Sequence, residues 1–274
     1  MWPRQGILSA ILIAGLNLNA AAIAAPEVVP RQAFALGVGT EDLKATYDVA
    51  LARQQVAAYP NSPDAHFILA VALTRTSYVE EALNEVRRAR RLAESCGGPS
   101  YFDKMISAYE ELLKTYPEED QVRYELAWAY YMKSYLVSSH YQRIHKLAHN
   151  PNTQSNGHQS PDLPWELAAV TKAGGDSELD QAKKYYEASL KKLDELLAKN
   201  PLDAWAQIYR AFLKAQYTGD IDSAMNTWNS CLKQFPDNPL PYFFLGEGYL
   251  KKGNLKESLR NVSKAISLRA GTTP

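Results

Sequence analysis

Four histidines near the middle of the chain come closest to a chemical site: His140, His145, His149 and His158. His145 and His149 are four residues apart, so a helix would place both imidazoles on one face, where they could bind a metal ion such as zinc. However, no Glu follows His145 as it does in zinc proteases, and no Cys lies nearby. We therefore expect a polar surface and no cofactor, with His145 and His149 as the two candidates for a metal site.

The other residues that could do chemistry are scattered. Cys231 is expected to be a small buried hydrophobe, whereas Cys96, just before a Gly-Gly-Pro helix stop, is expected to be exposed and could pair with another chain in an oxidising compartment. The sequence has no Gly-rich phosphate loop and no Gly-x-Ser-x-Gly motif. It therefore predicts a protein that is not an enzyme.

The charge of the chain excludes a general attraction to polyanions. Thirty basic and thirty acidic side chains leave no net charge among the 274 residues, so nucleic acid or an anionic membrane is not an expected partner. The one dense basic run, residues 87–91, follows Glu81 and Glu85 at the spacing of ion pairs on one helix face. A solvated helix surface is favoured there over an anion-binding patch.

The elements that would position such residues repeat along the chain. Gly219-Asp220 returns 34 residues later as Gly253-Asn254, and Phe235-Pro236 closes the first of these two copies. Other positions keep the same offset, most of them with small or apolar residues: Ala211 and Leu245, Ala224 and Ser258, Trp228 and Val262, Cys231 and Ala265. A period of 34 residues with small residues at helix contacts is typical of stacked helical hairpins.

This pattern resembles the tetratricopeptide repeat (TPR) family. Earlier copies start near Pro63 and Asp120, and all four first helices follow a turn that contains proline, at Pro60, Pro117, Pro201 and Pro236. The resemblance implies an all-α fold, a right-handed α-solenoid of stacked antiparallel helix pairs with about ten helices.

Two segments interrupt the regular array. Residues 101–115 add a helical stretch between two copies, so either a helix has been added or the pairing of the N-terminal helices is shifted by one. Residues 138–177 form an inserted loop rich in Pro and Gly, which Trp165 suggests is partly ordered. We expect the TPR-like helical domain to cover residues 41–270.

The beginning of the chain is typical of an exported protein. Arg4, an apolar run over residues 7–18 and Ala22-Ile23-Ala24 predict a signal peptide over residues 1–24, followed by a flexible tether over residues 25–40. An uncleaved anchor is the alternative. We expect the periplasm or the extracellular space, with a bacterial envelope favoured, and no transmembrane span after the signal is removed.

In the TPR family, positions on the first helices line a concave surface that binds partners. Carried onto this chain, the resemblance gives a hypothetical binding face of mostly aromatic residues: Phe67, Tyr124, Trp128, Tyr131, Tyr209, Leu213, Tyr217 and Phe243. TPR domains that hold acidic C-terminal tails use Lys and Asn on this face, so an apolar peptide is the favoured ligand. The alternative is that these residues pack inside the solenoid or beneath the insertion.

The expected function is therefore that of an exported scaffold or adaptor for protein–protein interaction, which binds a peptide or protein partner on the aromatic face. The alternative is an accessory or metal-binding protein that acts through the His-containing insertion, residues 140–158.

Overall fold

A computed structural model describes residues 49–144 and 177–270 of this chain, and within these ranges it contains helices and no strands. In chain order the ten described α-helices are α1 (Val49–Ala58), α2 (Pro63–Thr74), α3 (Val79–Cys96), α4 (Asp103–Thr115), α5 (Asp120–Ile144), α6 (Ser177–Lys199), α7 (Ala204–Thr218), α8 (Ile221–Gln234), α9 (Pro239–Lys251) and α10 (Leu255–Ala270). A single 3-10 turn, Gly98–Ser100, lies between α3 and α4. The all-α prediction is confirmed.

The chain divides into two compact units between Leu126 and Ala127, inside α5. In the first unit α1 packs on α2 and α2 on α3. In the second, α6 packs on α7, α7 on α8, α8 on α9 and α9 on α10. Contact between successive neighbours is the solenoid-like arrangement that the repeat predicts.

The four predicted proline turns start helices in the same way. The helices α2, α5, α7 and α9 begin three residues after Pro60, Pro117, Pro201 and Pro236. In each turn the backbone N–H two residues after the proline donates to the carbonyl oxygen of the residue before it, over 3.0–3.2 Å. This hydrogen bond closes a tight turn, because proline fixes its own φ at a value that suits the second position of such a turn.

The residue before each of these helices then caps it, in three of the four cases through a side chain that accepts a hydrogen bond. Ser62 Oγ accepts from the N–H of Ala65, Asp203 Oδ1 from that of Ala206, and Asn238 Oδ1 from that of Leu240, over 3.0–3.3 Å. Such caps satisfy N–H groups that have no partner within the helix. The boundaries of the repeat are therefore encoded locally.

The sequence repeat with a period of 34 residues corresponds to the same local structure in both C-terminal copies. Gly219 ends α7 and Gly253 follows α9, each with φ at +73°, a left-handed conformation that glycine adopts without strain. In the four other pairs both residues are buried except at one, where Trp228 is buried and Val262 is half-buried. That exception lies on α10.

Two expectations about the departures from the array can be compared with the helices. The added helical stretch is present as α4. The predicted insertion begins too early, because α5 continues through residue 144 instead of ending near residue 137. Val137 packs with Leu179 and Ala182 of α6, and the Ser138 hydroxyl donates to the Ser134 carbonyl at 2.8 Å, so this part of α5 is held by burial and internal hydrogen bonding.

None of the helices in the described ranges has a stretch both long and apolar enough to cross a membrane. The predicted signal peptide and tether, residues 1–40, lie outside those ranges, as do residues 145–176 of the predicted insertion.

Candidate binding surfaces

The predicted aromatic face has two members in the first unit, and both are buried. The Phe67 ring lies 5.4 Å from the ring of Phe102, centroid to centroid. The Tyr124 hydroxyl donates to Thr74 Oγ1 at 3.0 Å, and the Arg75 guanidinium lies 4.1 Å from the centre of the Tyr124 ring. These contacts connect α2 to the residue before α4 and to the start of α5 within the unit, so both rings serve helix packing.

Four members in the second unit are also buried: Trp128, Tyr131, Tyr209 and Leu213. Trp128 contacts the rings of Tyr131 and Tyr209 edge-on, with centroid distances of 5.8 and 5.2 Å. Tyr209 also contacts Phe244 edge-on at 5.7 Å. Edge-to-face contacts at these distances are those that stabilise aromatic cores. The arrangement is an internal aromatic cluster between α5, α7 and α9.

The last two members of the predicted face, Tyr217 and Phe243, are half-buried. Tyr217 stacks on Tyr186 with ring centroids 3.8 Å apart, and burial raises the pKa of the Tyr186 hydroxyl above its usual value. Phe243 contacts Phe244 edge-on. Six of the eight predicted residues therefore lie in the packed interior, as the alternative interpretation of the sequence had it, and two retain exposed surface.

The metal candidates His145 and His149 lie outside the described residues, and so does His158. His140 is described, and it lies half-buried near the end of α5. Within the described ranges no group of three His, Cys, Asp or Glu side chains is placed to hold a metal ion.

A polar pair that sequence reasoning missed lies in the first unit, between buried His66 of α2 and half-buried Glu85 of α3. The Nε2 atom of His66 is 2.9 Å from the carbonyl oxygen of Pro60, and its Nδ1 contacts a carboxylate oxygen of Glu85. Because the Pro60 carbonyl oxygen can only accept, Nε2 is the donor in the first contact. Through these two contacts His66 connects the turn at Pro60 to α3. The spacing of six residues from Pro60, which Arg123 and Gln207 share in their own turns, was the signal that could have identified it.

A groove of about 250 Å³ on the second unit is lined by α6, α7 and α8. This volume is below the roughly 300–1,000 Å³ of small-molecule sites. Three of its four charged side chains are already engaged, because Arg210 pairs with Asp194 and Asp220 Oδ1 accepts from the N–H of Ser223 at 3.0 Å. The groove is therefore a poor site for a small-molecule ligand, since it is small and, within the described residues, Lys214 is its one charged side chain without an ion pair or a capping role.

Within the described residues, a row of exposed apolar side chains lies on α10. Leu255, Leu259 and Ile266 are 59%, 58% and 61% exposed, and they make up half of the large hydrophobic side chains that are exposed in these ranges. Their spacing of four and seven residues places them on one side of the helix. The sequence offered the signal, since these positions repeat Ile221, Met225 and Leu232 with the offset of 34.

No protein-family model and no curated protein matches this chain.

Proposed function

We propose that this protein is an exported, non-enzymatic scaffold of tetratricopeptide-like helix pairs that holds another polypeptide. The observation that carries the proposal is the recurrence of one unit, a hydrogen-bonded proline turn followed by a helix, at Pro60, Pro117, Pro201 and Pro236. Arrays of such units present a long succession of helix faces to partners, because each repeat buries its core against its neighbours alone.

We place the binding surface of the scaffold on exposed helix faces and not on the whole of the predicted aromatic face. Trp128, Tyr209 and Leu213 are already packed by the protein's own side chains. A partner that used them would have to break those contacts, whereas the exposed side of α10 and the half-buried Phe243 require no such rearrangement.

Export is part of the proposal and is supported by the sequence of residues 1–24, with a basic residue, an apolar run and small residues before the expected cleavage point. A bacterial envelope is the proposed location. Fractionation of cells that produce the full chain, or a chain without residues 2–24, tests this part. Recovery of the full chain with cytoplasmic proteins would contradict it.

In-cell crosslinking tests the scaffold function. A photoreactive amino acid is placed singly at Lys184, Lys214 and Ser263, which are exposed on three different helices. We expect irradiation to join the full chain to a defined partner protein in the envelope fraction. Equal crosslinking to many abundant proteins at all three positions, or to none, would contradict a scaffold.

Deletion of residues 150–175 separates the two interpretations that the sequence left open. If the helices carry the function, crosslinking to the same partner survives the deletion. Loss of that partner, with an unchanged melting temperature, would instead assign the function to the insertion.

A further inference from the structure

Two buried serines join α5 and α6 through the backbone of the opposite helix. Ser134 Oγ on α5 donates to the carbonyl oxygen of Ala182 on α6 at 2.7 Å. In the other direction, Ser189 Oγ on α6 donates to the carbonyl oxygen of Ala127 on α5, also at 2.7 Å. Ser134 is 3% exposed and the other three residues are 0% exposed. A carbonyl oxygen has two lone pairs, so it can accept such a bond in addition to the one within its own helix.

The positions of these contacts show that the two helices are antiparallel. Seven residues separate Ala127 from Ser134 along α5, and seven separate Ala182 from Ser189 along α6, in the reverse order. A step forward on one helix is therefore matched by an equal step backward on the other. The two serine bonds fix one register between the helices, because a hydrogen bond needs a short distance and a suitable angle.

Other side chains follow the same register. Val137, three residues after the serine of α5, packs with Leu179, three residues before the alanine to which that serine donates. The ring of Tyr185 on α6 lies 6.1 Å from the ring of Tyr130, and Nζ of Lys133 lies 5.4 Å from the centre of the Tyr185 ring. Apolar, aromatic and hydrogen-bonding contacts thus connect α5 to α6 over several helical turns.

The register also sets the distance between the two helix ends that residues 145–176 connect. The helix α6 begins at Ser177, two residues before Leu179. The helix α5 continues to Ile144, seven residues beyond Val137, so it extends about five residues past the start of α6. Five helical residues rise by about 7.5 Å, and packed helix axes are about 8–10 Å apart. The two ends are therefore on the order of 10–15 Å apart, which about eight flexible residues can span.

We propose that the bonds of Ser134 and Ser189 make α5 and α6 a self-sufficient antiparallel hairpin, so that residues 145–176 can be replaced by a short linker while the helical fold stays intact. The small Ser and Ala side chains let the two helices approach closely, and the serine bonds hold them at one register. The connecting segment contributes little to this pairing, and it can serve a function of its own.

The first test replaces residues 147–174 of the full-length protein by about eight Gly and Ser residues. We expect the melting temperature to equal that of the unchanged protein or to exceed it by a few degrees, because a shorter loop has a smaller entropy cost of closure. Hydrogen-exchange protection of α5 and α6 should change less than about threefold. A melting temperature lower by more than about 5 °C, or loss of protection in α6, would overturn the proposal.

The second test removes the serine bonds and leaves the segment in place. Ser134→Val and Ser189→Val each delete a donor and add bulk where the helices are close, so we expect the equilibrium constant for unfolding in urea to rise at least tenfold for each. The matched control is Ser230→Val. Ser230 is exposed and its hydroxyl donates to a carbonyl oxygen of its own helix at 3.0 Å, so this change should alter the constant less than about threefold.

If valine prevents folding, Ser134→Ala and Ser189→Ala remove the hydroxyls alone and should each raise the constant about two- to tenfold. Serine variants as stable as the control would overturn the proposal, whatever the linker protein shows. The hairpin does not depend on the scaffold function, which is tested by the in-cell crosslinks. An intact hairpin means that a partner lost on deletion of residues 150–175 is lost because it bound the segment, since the helices remain folded.

Discussion

At the scale of single residues, the contact between α9 and α10 depends on a position without a side chain. A Cβ at Gly246 would lie 2.6 Å from Cγ2 of Val262 and 3.3 Å from the Ser258 carbonyl oxygen. Real Cβ atoms do not approach a methyl group so closely, and β-branched valine has few alternative rotamers on a helix. The small residue of the repeat is therefore required here by the distance between the two helices.

This predicts that the effect of Gly246→Ala depends on residue 262. In the unchanged protein the added methyl group overpacks the contact, at a cost of about 1–3 kcal/mol that is partly offset by the better helix propensity of alanine. In a Val262→Ala background the 2.6 Å clash is gone and only the 3.3 Å approach to the Ser258 carbonyl oxygen remains, so Gly246→Ala should cost clearly less than in the unchanged protein. Urea unfolding of the four proteins measures this. Equal destabilisation in both backgrounds would contradict the contact.

The two cysteines are predicted to differ in reactivity. Cys231 is fully buried, its thiol donates to Oε1 of Gln207 at 3.2 Å, and burial raises its pKa to about 11. Cys96 is exposed. With Ellman's reagent at pH 8 we expect one thiol to react quickly and a second to react only after unfolding. The quick reaction should be absent from a Cys96→Ala protein. Two quickly reacting thiols in the folded protein would contradict the burial of Cys231.

The raised thiol pKa also has a consequence for stability. The folded protein keeps the Cys231 proton above pH 9, where an unfolded thiol has lost it, so the free energy of unfolding falls as the pH rises from about 9 to about 11. A Cys231→Ala protein lacks this contribution. Its stability should therefore decline less over that interval, as measured by urea unfolding at each pH.

At the scale of the helices, local signals predicted the structure well and tertiary burial did not follow from them. The proline turns, the caps at Ser62, Asp203 and Asn238, and the glycines after α7 and α9 are local, and the first helices predicted to start near Pro63 and Asp120 begin at those residues. The end of α5 was not predicted correctly, because Val137 is held by contacts with α6, which lies far along the sequence.

The same limit applies to the aromatic face. Periodicity places Trp128, Tyr209 and Leu213 on particular sides of their helices, but it does not say how closely the next helix approaches. In the structure α5, α7 and α9 bring their aromatic rings within contact of one another, and the positions that could line an open surface become a core. Only distances between helices distinguish these two outcomes.

Shortening a side chain of the aromatic cluster should therefore act mainly on the stability of the protein and not on binding. Trp128→Ala removes a side chain that is 1% exposed and contacts two other rings, and we expect a loss of about 3–5 kcal/mol. Phe243→Ala, at a half-buried position of the same predicted face, should cost less than half as much. Thermal and urea unfolding compare them. Unchanged stability of the Trp128→Ala protein would contradict the packed cluster and support the hypothesis of an exposed aromatic face.

At the scale of the whole molecule, each described helix of the second unit packs chiefly on its sequence neighbours, and the chain divides inside α5. Contacts of this kind make stability a sum of local terms, so a loss in one repeat need not spread through the chain. Trp228 is a suitable probe, since it is buried, stacks on Phe244 and donates from Nε1 to the Ile208 carbonyl at 3.2 Å.

Native-state hydrogen exchange of a Trp228→Ala protein tests this local behaviour. Removal of the indole should cost about 3–5 kcal/mol, which corresponds to at least a hundredfold faster exchange where protection depends on it. We expect this in α7, α8, α9 and α10, with protection of α2 and α3 changed less than threefold. The Leu202→Ser protein, altered at an exposed position, serves as the control. Equal loss of protection in α2 and α3 would mean that the described helices unfold as one cooperative unit, because a local array would leave the first unit protected.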